Sequence, residues 1–168
     1  MTTLILTVAG SDRPGLVAAV ADVVDAHGGN WEQSQLAELA GVFAGVIQIS
    51  VAADREAELQ EALRALDGAL TVSVHTGADA PAPAEQPITL QVLGNDRPGI
   101  VREISAVLRA HELSIQDMTT QTRDAAMAGG RLFEASVAAT VPGSADLAAL
   151  RADLERLTAE LQVDITLG

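Results

Sequence analysis

The feature that most limits what this chain can become is a six-residue turn that occurs twice. Gly10-Ser11-Asp12-Arg13-Pro14-Gly15 returns as Gly94-Asn95-Asp96-Arg97-Pro98-Gly99, 84 positions later. Each copy follows an alternating apolar segment, Leu4 to Ala9 and Ile88 to Leu93, and precedes a segment with helical apolar spacing. A strand, a turn and a helix are therefore encoded twice in register. Proline pushes the residue before it out of the helical region and suits a first helical turn, where its missing N–H costs nothing. Arg13 and Arg97 are then boundary residues. Gly15 and Gly99 are expected inside the first turn, leaving backbone N–H groups bare at the positive end of the helix dipole. Such a turn is suited to an anionic group.

The rest of each half follows from spacing. In the first half the pattern predicts a strand over 3–9 and a helix over 14–27 with Leu16, Val17, Val20, Val23 and Val24 on one stripe. A hairpin over 30–52 turns near Ala40-Gly41. A second helix, capped by Asp54, carries Leu59, Ala62, Leu63 and Leu66, and a strand runs from Leu70 to Thr76. The second half repeats this with a strand over 88–93, a helix using Ile100, Val101, Ile104, Val107 and Leu108, and strands near 114–122 and 131–141. A helix capped by Ser144 and a strand from Val163 to Leu167 complete it. Phe133 follows Phe43 by 90 positions rather than 84, so the hairpin between Arg123 and Gly130 is longer by about six residues, and its Met127-Ala128-Gly129-Gly130 tip has the composition of a mobile segment.

A β-α-β-β-α-β order with right-handed crossovers gives a ferredoxin-like α+β fold, an antiparallel sheet with both helices on one face, here twice. The expected domains are 1–76 and 88–168, joined by a linker over 77–87 whose three prolines make it stiff and extended. Each half, at roughly 75 to 80 residues, buries only about 60 to 65% of its unfolded surface. The halves are therefore expected to pack together or the chain to form a homodimer. Joining sheet edges into one eight-stranded sheet would satisfy strand groups that a lone unit exposes.

Composition removes several classes of chemistry. The chain has no Cys, which excludes disulfides, thiolate nucleophiles and cysteine metal sites. It also has no Lys, which excludes a Schiff-base lysine. The formal charge of −13 opposes direct binding to nucleic acid. The apolar run from Leu4 to Ala9 is too short for a signal peptide or a membrane span, so a cytoplasmic protein with no membrane contact is expected. No pair of the three His residues has metal-ligand spacing, so neither a metal nor a cofactor is expected.

An aspartate or asparagine before Arg-Pro-Gly, at the first β-to-α turn of a ferredoxin-like unit, resembles the ACT domain, a regulatory module that binds amino acids. The resemblance covers the chain outside the linker. Two such domains with no other domain attached are similar to the glycine cleavage system transcriptional repressor group. The resemblance implies a non-enzymatic regulator that binds a small amino acid, glycine or similar, at the interface of two units and signals to a protein partner such as a transcription activator. It also implies that the first-turn loop of one unit faces the start of the second strand of the other. Ser11, Asp12 and Gly15 would face Ser114, Ile115 and Gln116, while Asn95, Asp96 and Gly99 would face Asn30, Trp31 and Gln33. The ligand carboxylate can accept from helix N-terminal N–H groups, and Asp12 or Asp96 can accept from the ammonium. Family members often carry an asparagine in the loop and an asparagine-isoleucine pair at the strand. Neither pairing has both in full, and the Asn95/Asn30 pairing is the favoured one.

Simpler roles stand beside these. Asp12 and Asp96 can be helix N-caps, and Arg13 and Arg97 surface ion-pair partners rather than carboxylate clamps. Trp31 can wall a ligand pocket or pack at an interface. His27 and His111 fall at helix C-termini, where the dipole favours a cationic ring. The acidic residues of the second helices read as solvated faces. An acylphosphatase-like enzyme is the remaining catalytic reading, weakened by the proline in the loop. A ligand-free adaptor acting only through protein contacts needs the same fold and turn.

Overall fold

The computed structural model describes residues 1–77, 85–125 and 129–168. The chain divides into two compact units, Met1–Ala80 and Pro81–Gly168. The first holds β1 (Thr2–Ser11), α1 (Leu16–Ala26), β2 (Asn30–Leu39), β3 (Val42–Val51), α2 (Glu56–Arg64) and β4 (Thr71–Thr76). The second holds β5 (Glu85–Asn95), α3 (Ile100–Ala110), β6 (Ser114–Asp124), β7 (Arg131–Pro142), α4 (Leu147–Leu161) and β8 (Val163–Leu167). Each unit has the β-α-β-β-α-β order, and the two antiparallel sheets run β2-β3-β1-β4 and β6-β7-β5-β8.

Alternation and helical spacing meet in the two cores. Leu4, Leu6 and Val8 on β1 and Ile47, Ile49 and Val51 on β3 bury one sheet face under Leu16, Val20 and Val24 of α1 and Leu59 and Leu63 of α2. The second unit repeats this with Leu90 and Val92, Val137 and Ala139, the α3 stripe Ile100, Ile104 and Leu108, and the α4 stripe Leu150, Leu154, Leu157 and Leu161. Burying each of the Val, Leu and Ile side chains contributes about 1.5–3 kcal/mol. The first glycine of each repeated turn serves this packing. A Cβ on Gly10 would stand 2.9 Å from the Ala69 carbonyl oxygen, and one on Gly94 only 2.3 Å from Val163 Cγ1. The central strand can pass the next element this closely only without a side chain.

The structure corrects several expectations. The described strands form two four-stranded sheets, one in each unit. β5 begins at Glu85 rather than Ile88, taking in residues assigned to the linker, because Pro87 costs no ladder bond there. Thr89 points its N–H and C=O to Gly168, and Pro87, two residues earlier, faces the same side beyond the end of β8. The remaining linker residues, 78–84, lie outside the described residues, as do 126–128 of the β6–β7 hairpin. Asp54 does not cap α2, whose N-cap is Arg55 with no side-chain hydrogen bond. α4 is capped by Asp146 rather than Ser144. The β2–β3 hairpin does turn at Ala40-Gly41, with φ of 52° and 82°.

Candidate functional site

The two repeated turns share one backbone design. After Ser11 the chain leaves β1, and the Asp12 N–H donates to the Gly41 carbonyl at 2.9 Å; the Asp96 N–H donates to the Arg131 carbonyl at 2.8 Å. Gly15 and Gly99 are the N-caps, at φ 93° and 95°, one position outside the first helical turn where they were expected. Their carbonyls accept the first helical bonds, from Ala19 at 2.9 Å and from Glu103 at 3.0 Å. This left-handed conformation, rather than lack of room, requires glycine at Gly15, where a Cβ would meet nothing within 4 Å.

The cap geometry also removes the capping role for Asp12 and Asp96, since neither α1 nor α3 has a side-chain cap hydrogen bond. α4 shows the contrast, with the Asp146 carboxylate accepting from the N–H groups of Ala148 at 2.9 Å and Ala149 at 3.1 Å. The first-turn N–H groups of α1 and α3 thus keep their bonding capacity for another acceptor. Ser11, Asp12, Asn95 and Asp96 are all exposed beside them.

The turns differ in charge. Glu103 stands in the first turn of α3, where it pairs with Arg97 at 3.4 Å and with Arg102 at 3.7 Å. The equivalent residue of α1 is Ala19, and α1 has no acidic residue in its first turn. Among the described residues Arg13 makes no ion pair. With Ser11 it lines a hollow of about 420 Å³ between the β1–α1 turn and the α2–β4 connection, floored by Gly10, Gly68 and Ala69.

At the second-strand starts the chain bulges in both units. Pairing shifts between Trp31 and Gln33 in β2 and between Ile115 and Asp117 in β6, so the unpaired residues are Glu32 and Gln116. Asn30, Gln33, Ser114, Ile115 and Gln116 are exposed, whereas Trp31 is half-buried against the core of its own unit. Glu32 is a residue that sequence reasoning passed over. It is the 84-position equivalent of Gln116, and that offset was the available signal. The Ser50 hydroxyl and the Gln48 amide hold its carboxylate below the usual range.

Within each unit the candidate residues fall in two groups. Ser11, Asp12 and Gly15 form one group and Asn95, Asp96 and Gly99 another, while Asn30 to Gln33 and Ser114 to Gln116 start their strands after the helix. His27 donates from Nδ1 to the Val23 carbonyl at 2.8 Å, and His111 donates from Nε2 to Asp153 Oδ2 at 2.7 Å, so both rings tie down helix ends. Among the described residues there is no cluster that could hold a metal ion, and no helix is long and apolar enough to cross a membrane. A larger hollow, about 510 Å³ on the open face of the second sheet, contains none of the candidate residues.

Comparison with known proteins bears directly on this arrangement. Family models of the ACT domain match residues 2–77 and again residues 83–164. The glycine cleavage system transcriptional repressors of Escherichia coli K12 and Shigella flexneri are each 29% identical over 162 residues, spanning 94% of this chain and 85% of theirs. Among solved structures, an unknown protein from Galdieria sulphuraria superposes with a TM-score of 0.89 at 30% identity, covering 99% of this chain and 96% of its own.

Proposed function

The chain belongs to the ACT-domain family, with two tandem copies, and from that premise we propose that it is a non-enzymatic regulator that binds a small amino acid and passes the signal to a protein partner. The ligand is glycine or one of similar size, in keeping with the glycine cleavage system repressors it resembles. The partner is a protein such as a transcription activator, since a charge of −13 disfavours direct contact with nucleic acid. The ligand lies where the β-to-α turn of one unit meets the bulged strand start of another. Its carboxylate accepts from the first-turn N–H groups, and its ammonium is held by the loop aspartate.

The observation that carries this reading is the uncapped helix start beside an exposed aspartate, found in both units. The neighbouring charges favour one of the two turns. Around Asn95-Asp96 a ligand carboxylate would meet Glu103, and the strand start paired with that turn carries Glu32; around Ser11-Asp12 the equivalents are Ala19 and Gln116. The first turn is therefore the better place for a carboxylate, in reverse of the preference drawn from the asparagines alone.

Thermal unfolding of the full chain against each common amino acid tests the reading. A ligand at 100 times its dissociation constant adds about 2.7 kcal/mol of stability. One or a few small amino acids should raise the melting temperature, and Asp12→Ala should remove the shift. If Asp96→Ala removes it instead, the second turn is the site. If no amino acid acts at millimolar concentration, ligand sensing is wrong and an adaptor role replaces it.

A further inference from the structure

Away from the repeated turns, the two sheets differ on the face that carries no helix. Strand pairing places Ile5, Ala37, Leu39, Val42, Ala44 and Val46 on that face of the first sheet. Leu39 is 76% exposed, Val42 53% and Val46 41%, so this apolar surface is open to solvent. The side chains among them, such as Thr7, Gln35 and Ser73, are polar but uncharged. The ionisable residues on this face are Glu32 at the β2 bulge, whose carboxylate accepts from Gln48, and His75 opposite Ile5. Both lie at the end away from the hairpin turn. A chain with 10 basic and 23 acidic residues thus keeps the hairpin end of one sheet face free of charge.

The fold does not require this, because the matched positions of the second sheet are polar. Arg123 stands for Leu39, Glu134 for Ala44, Ser136 for Val46 and Asp164 for Thr71. Arg123 and Glu134 pair across their strands at 2.6 Å, and Glu134, Ser136 and Asp164 line the hollow of about 510 Å³. One helix-free face is therefore finished for water and the other for contact. Loss of charge, more than bulk hydrophobicity, marks the core of an interface.

We infer that the helix-free face of the first sheet is a docking surface for the same face of a second copy of this chain. Charge selects that occupant. Two chains of charge −13 repel, and like charges brought into a contact are costly, so copies can meet only where neither brings an acid. A cationic partner would gain nothing from a surface without carboxylates. The four strands, of 10, 10, 10 and 6 residues, cover about 600 Å² at about 3.4 Å per residue and about 4.8 Å between strands. Two such faces bury roughly 1,200 Å², the lower edge of what a specific pair needs. Matching sheet faces pack about 30° apart with interdigitating side chains, and a two-fold axis closes the pair. The contact is made by first-unit residues alone and does not require a bound amino acid.

Sedimentation velocity of the full chain over a concentration series tests it. The wild type should be a reversible dimer. V46E sets one carboxylate from each copy into the contact and should weaken the dimer constant about a hundredfold or more. L39R/A44E carries onto the first sheet the ion pair that the second already holds at matched strand positions, so it should fold and dissociate in the same way. S136E, the same change as V46E at the matched position of the second sheet, should dimerise as the wild type does. Trp31, packed on the core of the first unit, reports by fluorescence that each variant is folded. A wild type monomeric at every concentration, a folded V46E or L39R/A44E that dimerises as the wild type does, or an S136E that dissociates equally would each overturn the inference.

Discussion

The two units carry the same turn on the same fold, yet they are finished differently around it. In the second unit the α3 start is backed by Arg97, Glu103 and Arg102, its end is tied to α4 by His111 and Asp153, and Arg156 holds the other Asp153 oxygen at 2.6 Å. α4 is a 15-residue helix with a side-chain cap. In the first unit Ala19 replaces Glu103, His27 bonds only within its own helix, and α2 is 9 residues long with no side-chain cap. Turns of equal backbone thus have unequal electrostatics. The second unit surrounds its α3 ends with ion pairs, and among the described residues the first has none at its α1 ends.

The largest expected break in this comparison is steric. Gly94→Ala should destabilise the second unit by about 1–3 kcal/mol, because its Cβ would fall on a β-branched side chain packed in the core. Gly10→Ala should cost the first unit less, since the approach to Ala69 is 2.9 Å rather than 2.3 Å. Urea unfolding separates the two. Trp31, the single tryptophan, reports on the first unit by fluorescence, and far-ultraviolet circular dichroism reports on both.

Capping comes next. Asp146→Ala should cost the second unit about 1 kcal/mol by uncapping α4. Asp12→Ala should change stability by less than about 0.5 kcal/mol, as expected of a surface substitution that removes no cap. Equal losses in the two variants would return Asp12 to a structural role.

Acid should separate the units further. Asp153 is held below the ordinary carboxylate range chiefly by the His111 hydrogen bond, and Glu134 chiefly by that from Arg123. Only Glu32 is so held among the described residues of the first unit. A carboxylate with a depressed folded-state value adds stability that is complete above its unfolded value, about 4, and is lost as pH falls through the folded value. Between about pH 5 and pH 2 the second unit should therefore lose more stability than the first. Asp153→Asn with Glu134→Gln should narrow the gap between the fluorescence and dichroism midpoints. The smallest effect is that of Glu103→Ala, which removes exposed ion pairs worth about 0.2–1 kcal/mol and should barely shift unfolding.

Much of the fold was legible in the chain because period and repeat agree. The Leu4-Leu6-Val8 alternation and the Leu16-Val20-Val24 stripe fix which faces are buried, and the 84-residue offset doubles every such inference. The site was less legible, because side-chain type does not reveal backbone conformation. Asp12 looks like a cap, but the left-handed glycine three residues later takes the cap position and leaves the aspartate free. Pro142-Gly143-Ser144-Ala145-Asp146 offers two capping residues, and only the geometry selects the second. Glu32 was hidden by the bulge that makes it, since simple alternation counts it as an ordinary strand residue.

The central claim is that the first turn is open to a carboxylate because position 19 carries no acid. Isothermal titration of the best amino acid against Ala19→Glu and Glu103→Ala tests it most directly. Ala19→Glu copies onto α1 the carboxylate that α3 already has, and affinity should fall about tenfold, while Glu103→Ala should not weaken binding. Undiminished affinity in Ala19→Glu, with Trp31 fluorescence showing an intact first unit, would contradict the account.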